Sequence, residues 1–290
     1  TMTAKKIIVG YDQSPDSHAS AVWALDEAAR TGALVEFFYA YEWPTWAPAA
    51  SMVPAPAVWP DGETDRAIKG MLHEAVTAAK HSHPTVRTTI SIVNAGAALT
   101  LLDRSAEASL IVLGSRGNSA VAGLFGSVSV AVTAHAHCPV VVVRDTRPAG
   151  APVVVGVDDS ESAQLALAFA FDQAAERGVP LHLIRAVAPA AAGWSARPDI
   201  TEAVTAGERR SLADQLTAWQ DKYPQVRATC DVVVDHPARA LSRAGDTAQL
   251  VVVGSHGRGA LRGMVLGSVS QHVLRHCAGT VAVVREAPRA

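Results

Sequence analysis

The chain has 290 residues, 49% of them hydrophobic, and sets 25 basic side chains against 27 acidic ones. That length accommodates two domains of ordinary size with proper cores, and a net charge of −2 provides no field to draw nucleic acid or an anionic membrane surface. Three scattered cysteines, Cys138, Cys230 and Cys277, lack CxxC or metal spacing and suit a reducing compartment; with no membrane-length apolar run and no signal-like start in TMTAKKIIVGYD, a cytoplasmic protein is expected.

The first predicted strand, Ile7–Asp12 (IIVGYD), is a β-branched run that ends in an aspartate, and Val153–Asp158 (VVVGVD) repeats it 146 residues later. Each is followed by Ser and Asp at capping positions and then an alanine-rich helix, Ala19–Arg30 or Ala163–Arg177, closed by Gly32 or Gly178. Second strands are expected at Leu34–Tyr41 and Leu181–Val187. A long proline-rich connection with Trp43, Trp46 and Trp59 follows in the first half, and a shorter one with Trp194 in the second. This tryptophan loop reads equally well as a lid or partner surface and as a loop packed on its own domain.

Helices near Glu63–His81 and Thr201–Lys222 then lead into strands Val86–Val93 and Val226–Val234. Short helices at Ala97–Ala106 and Pro237–Gly245 precede the apolar strands Leu110–Leu113 and Leu250–Val253. After a glycine-rich loop, each half closes with a helix and a strand, Pro139–Arg144 or Thr280–Arg285. Short continuous apolar strands alternating with helices signal a parallel sheet covered on both faces. The chain therefore reads as α/β: two tandem doubly wound domains, each a five-stranded parallel sheet of order 3-2-1-4-5. The first domain is expected at residues 1–146 and the second at 153–290, with a polar, proline-containing linker between. The final strands are natural edges for pairing between the halves, which implies an internal pseudo-dimer.

The stretch LVVVGSHGRGALRGMVLGSVS (Leu250–Ser270) is the most informative, and LIVLGSRGNSAVAGLFGSVS (Leu110–Ser129) repeats it. A buried strand, a glycine-rich loop and a helix opened by Gly-Ser suit a phosphate chain. Glycine lets the backbone approach an anion, and the free N–H groups of a helix start point at it. Ser268 is expected to cap that helix. In the expected strand order, the switch point lies between strands 1 and 4, so Asp12 faces Gly114 and Asp158 faces Gly254 across a crevice. Neither loop is a Walker A motif, since no GK[ST] follows and no lysine lies in it. The dinucleotide fingerprint does not fit either, because Gly257-x-Gly259-x-x-x-Gly263 is one residue too long and follows the fourth strand.

IIVGYDQS and VVVGVDDS, each followed by GSxG and a later GS, resemble the universal stress protein family in its tandem, mycobacterial-like, ATP-binding form. The resemblance implies an adenine nucleotide alpha hydrolase-like fold with one ATP site per half. In that family's pattern two residues separate the first glycines and nine precede Gly-Ser; Gly254, Gly257 and Gly267-Ser268 fit it. Asp158 is then implied at the ribose or a metal such as Mg, and the backbone at Ala186 at the adenine. Gly254, His256 and Gly257 are implied along the phosphates, with Gly267, Ser268 and Ser270 closing over them. The first-half counterparts are Asp12, Ala40, Gly114, Arg116, Gly117, Gly126, Ser127 and Ser129, although only eight residues separate Gly117 from Gly126. Both halves are expected to bind.

Bland readings stand beside these. Asp12 and Asp158 suit strand-end turns, and Ser14 and Ser160 are expected as helix N-caps, since no base pairs with them. His272 and His276, four apart on a helix, could share a metal but lack a third ligand. No protein side chain is assigned to catalysis or to a metal. The function implied is an ATP-binding stress-response regulator, linked to dormancy or hypoxia, with slow or no turnover. A homo-oligomer and a protein partner that reads the bound state are expected with it. The alternatives are a slow ATPase or adenylyl-transfer enzyme and a nucleotide-free dimerisation scaffold.

Overall fold

The computed structural model describes residues 5–41, 62–116, 126–145, 147–189, 198–257 and 266–285. These divide into two compact units, Thr1–Ser129 and Val130–Ala290. The first holds β1 (Lys6–Gly10), α1 (Pro15–Thr31), β2 (Leu34–Ala40), α2 (Gly62–Ser82), β3 (Thr88–Val93), α3 (Ala97–Arg104) and β4 (Leu110–Gly114). Its strands are parallel, in the order β3-β2-β1-β4.

Helix α4 (Ser127–His135) runs into the second unit. There follow β5 (Val140–Val143), β6 (Val153–Gly156), α5 (Glu161–Arg177), β7 (Leu181–Val187), α6 (Pro198–Gln220) and β8 (Ala228–Val234). The chain closes with α7 (Pro237–Ala244), β9 (Leu250–Gly254), α8 (Ser268–His276) and β10 (Val281–Val284). The strand order is β5-β10-β9-β6-β7-β8. From β8 to β10 this is the expected 3-2-1-4-5 order, wholly parallel, and the first unit shows the same order through its fourth strand. The fold is the expected α/β class.

Local chemistry accounts for the elements. Helices α1 and α5 start identically: Ser14 Oγ accepts from Ser17 N–H and Ser160 Oγ from Ala163 N–H, both at 3.2 Å. Each ends at a glycine in the left-handed region, Gly32 at φ 71° and Gly178 at φ 65°. The central strands β4 and β9 are buried over Leu110–Leu113 and Leu250–Val253, as runs covered on both faces must be. In the second unit, Phe171 of α5 stacks on Trp219 and Tyr223 at centroid distances of 5.4 and 5.1 Å. Tyr223 also donates to Asp172 Oδ1 at 2.6 Å, which pins the end of α6 to α5.

β5 pairs antiparallel with β10, Val142 opposite Val281. The two final strands thus pair with each other, as expected of them, and β10 has β9 on its other side. Beyond each of these strands an arginine reaches a helix end. Arg144 donates to the carbonyls of Leu274 and Cys277 at the end of α8, and Arg285 donates to that of Ala134 in the last turn of α4. A guanidinium there satisfies carbonyls that the helix cannot, and it complements the helix dipole.

Two expected outcomes follow. Replacing Arg144 with Met should lower the stability of the second unit by about 2 kcal/mol, since it removes hydrogen bonds from a charged donor; urea unfolding followed by circular dichroism measures it. The Asp172 carboxylate and burial push the Tyr223 hydroxyl from 10.0 up to about 12. The unfolded chain releases this proton first, so the contribution to stability is full below pH 10 and is lost between about 10 and 12. In Asp172→Asn, ultraviolet difference titration should show one tyrosine ionising earlier than in the parent.

Candidate functional site

Strand β6 ends at Gly156, and Asp158 follows two residues later, before the turn into α5. Its Oδ1 accepts from Ser160 N–H at 2.9 Å and also from the Ser160 hydroxyl. The turn reading of this aspartate is thus correct, and it leaves Oδ2 directed at the glycine loop. A Cβ on Gly257 would lie 3.0 Å from Asp158 Oδ2. Strand β9 ends at Gly254, where the backbone runs hard against the first turn of α5. A Cβ there would meet Ser162 Oγ at 2.6 Å and the Ser162 carbonyl carbon at 2.8 Å, so only glycine fits.

Ser162 latches the loop that follows. Its hydroxyl donates to His256 O at 2.5 Å and accepts from His256 N–H at 3.3 Å. Ser255 Oγ lies 2.9 Å from His256 Nδ1. The loop returns to the strand end through Gly267 N–H, which donates to Ser255 O at 2.7 Å, and through Ser270 Oγ, which donates to Gly254 O at 2.6 Å. Helix α8 has Gly267 as its N-cap residue, with no side-chain cap bond. Ser268 is therefore the first helical residue and not the cap expected from the sequence. Gly267 takes the extended cap conformation at φ −68°, ψ 154°, and the Ser268 hydroxyl sits one position too late for the role.

These elements enclose a cavity of about 470 Å³ in the second unit. Asp158, Ala186, Gly254, His256, Gly257, Gly267, Ser268 and Ser270 all line it. One end is apolar, formed by Ile184, Ala186 and Val187 at the end of β7 with Pro237 and Leu241 of α7; the other is the glycine and serine loop. Glu208 of α6 also lines the cavity, and sequence reasoning missed it. Arg185, with a side chain 2% exposed, donates to Glu208 Oε2 at 2.7 Å and to Asp159 Oδ1 at 2.9 Å. An arginine inside the apolar strand LHLIRAV was the available signal, because a fully buried arginine needs acidic partners.

The first unit repeats the scaffold. Asp12 Oδ1 accepts from Ser14 N–H at 3.0 Å, Gly126 N–H donates to Ser115 O at 3.0 Å, and Ser129 Oγ donates to Gly114 O at 2.8 Å. Ala40 ends β2 and Ser127 opens α4. Gly117 lies outside the described residues, as do Trp43, Trp46, Trp59 and Trp194. The latch differs, however. Asp16 stands where the second unit has Ser162, and its Oδ2 accepts from Ser115 Oγ at 2.7 Å, Arg116 N–H at 2.9 Å and Arg116 Nε at 3.4 Å. Beside Ala40, Tyr41 donates to Asp65 Oδ1 at 3.2 Å, and burial together with that carboxylate pushes its hydroxyl up to about 12.

The remaining candidates form no centre. The His272 and His276 rings lie 4.3 Å apart, but no group of three metal-ligating side chains occurs among the described residues. Burial pushes the Cys277 thiol up, which disfavours the reactive thiolate. No described helix is long and apolar enough to cross a membrane.

The chain matches the universal stress protein family model twice, over residues 3–144 and 151–285. It is 37% identical to universal stress proteins Rv2005c and Rv2623 of Mycobacterium tuberculosis, covering 97% of this chain in each case and 97% and 96% of theirs. A crystal structure of a universal stress protein from Archaeoglobus fulgidus superposes with a TM-score of 0.65 at 19% identity, covering 98% of this chain and 99% of that one. With its two family matches in tandem, the chain belongs to the universal stress protein family.

Proposed function

We propose that this protein is an ATP-binding regulator of the stress response, with one adenine-nucleotide site in each repeat domain, residues 1–146 and 153–290, and slow or no turnover. The observation that supports this most directly is the cavity in the second unit, whose two ends differ in chemistry. At about 470 Å³ it falls in the range of small-molecule sites, which run from roughly 300 to 1,000 Å³. Its apolar end suits a flat base, with Ala186 and Leu241 on the walls. Its other end suits an anion: backbone held close by Gly254 and Gly257, and a helix start without a side-chain cap. A methyl on Gly257 would project at the Asp158 carboxylate, which is how a cradle kept open for a ligand behaves.

In this reading Asp158 lies at the ribose or at Mg carried in with the nucleotide. His256, Gly267, Ser268 and Ser270 hold the phosphates beside the two loop glycines. The first repeat uses Asp12, Ala40, Gly114, Arg116, Gly117, Gly126, Ser127 and Ser129 in the same way. Bound ATP supplies negative charge and a rigid link between the β6 and β9 strand ends, and it stabilises the state that holds it. Neither loop contains a lysine to meet transferring phosphates, which argues for a regulator and against a fast phosphoryl-transfer enzyme. A protein partner reads the bound state, in a cytoplasmic setting and in an assembly of more than one chain.

The test is to denature the purified protein and identify the released nucleotide by chromatography and mass. ATP at one equivalent or more per chain is expected. Gly257→Ala and Asp158→Ala should each weaken ATP at the second site about tenfold or more, a loss of ~1.4 kcal/mol. Added ATP at a hundred times its Kd should stabilise the parent by about 2.7 kcal/mol, read as a shift in thermal unfolding. Recovered ADP or AMP with sustained turnover would point to an enzyme. A protein that is empty and indifferent to added Mg-ATP would overturn the proposal.

A further inference from the structure

The two glycine loops share their strand ends, their closing serines and their returning N–H bonds, yet they are latched to the preceding helix by different chemistry. In the second unit the latch is a hydroxyl, Ser162, and the Ser255 and His256 side chains pair with each other. In the first it is a carboxylate: Asp16 gathers the Ser115 hydroxyl, the Arg116 amide and the Arg116 guanidinium on one oxygen. The Asp16 side chain is 19% exposed and the Arg116 side chain 58%, so the acid is the enclosed member of the pair. A Cβ on Gly114 would lie 2.7 Å from Asp16 Cβ, which places the acid against the first glycine of its loop.

From this contrast we infer that Asp16 makes the first cradle discriminate against polyphosphate, so that the two repeats bind adenine ligands of different charge. The inference rests on the reading of both loops as nucleotide cradles. Either geometry available to Arg116 works against a triphosphate. If the guanidinium stays on Asp16, the loop offers the phosphates no unpaired cation. If it swings to the phosphates, it leaves a largely buried carboxylate beside a polyanion, and such a charge is costly without its partner. Ser162 imposes neither penalty. A ligand without phosphates, such as adenosine, feels neither, so the handicap of the first cradle grows with phosphate charge. Asp16 acts here as a specificity-determining residue through charge and touches no reacting atom.

The experiment is calorimetric titration of the full chain with ATP and, separately, with adenosine. It is run on the parent, on Asp16→Ser, on Asp16→Asn and on Ser162→Asp; each Ser–Asp exchange installs the residue that the other repeat already accommodates. Gly257→Ala, which impairs the second cradle, identifies the class that belongs to the first. The parent should show two ATP classes about tenfold or more apart, the weaker in the first repeat, and adenosine classes within about threefold of each other. Asp16→Ser and Asp16→Asn should bring the ATP classes together, and Ser162→Asp should weaken the tight one. Two equal ATP classes in the parent, or a gap that survives both Asp16 variants, would overturn this inference and leave the nucleotide reading standing. Failure of every variant to bind either ligand would overturn both together.

Discussion

The end of β9 packs directly on the first turn of α5, where Gly254 meets the backbone of Ser162. Nearly everything about the candidate site depends on it. With no side chain at Gly254, the helix start and the strand end can touch, and the loop beyond can be pinned by the Ser162 hydroxyl. It returns at Gly267 to open α8, whose first residues, Ser268, Val269 and Ser270, line the cavity. Asp158 enters from the neighbouring strand through a turn that its own carboxylate closes. The cavity therefore arises where two strand ends and two helix starts meet at the switch point of a parallel sheet.

That dependence explains what the sequence disclosed. Strands β4 and β9 are unbroken apolar runs ended by glycine, and the caps Ser14 and Ser160 precede helices closed by Gly32 and Gly178. All of these are local rules with local residues. Their recurrence in one order marks the tandem repeat, and the alternation of strand and helix marks the doubly wound class from which the strand order is expected. The residues that line the second-unit cavity were legible as a group because glycine, serine and aspartate at strand ends have few other reasons to recur together.

Features that needed coordinates were those set by distant pairs. Arg185 and Glu208 belong to different elements, and nothing local links them; only the fold brings the guanidinium onto both Glu208 and Asp159. Asp16 reads in the sequence as an acid in the first turn of a helix, an ordinary partner for the dipole. Its role as the anchor of a loop a hundred residues away depends on strand order and on the bare Cα of Gly114. The Ser268 expectation was off by one position for a related reason: a glycine in extended conformation caps α8 without a hydroxyl.

The union of β5 with β10 bears on how the chain is made. Val142 and Val281 face each other although 138 residues are synthesised between them. At a synthesis rate of roughly 5 to 20 residues per second, β5 waits about 7 to 28 seconds for its antiparallel neighbour. During that interval an all-valine edge, VVVV, presents unpaired backbone to other nascent chains, and Arg144 has no α8 terminus to grip. Exposed apolar edges of this kind are templates for intermolecular pairing. The separation of the two strands in the chain thus bears on the yield of folding, which a chaperone covering this edge would raise, and leaves the stability of the finished fold unchanged.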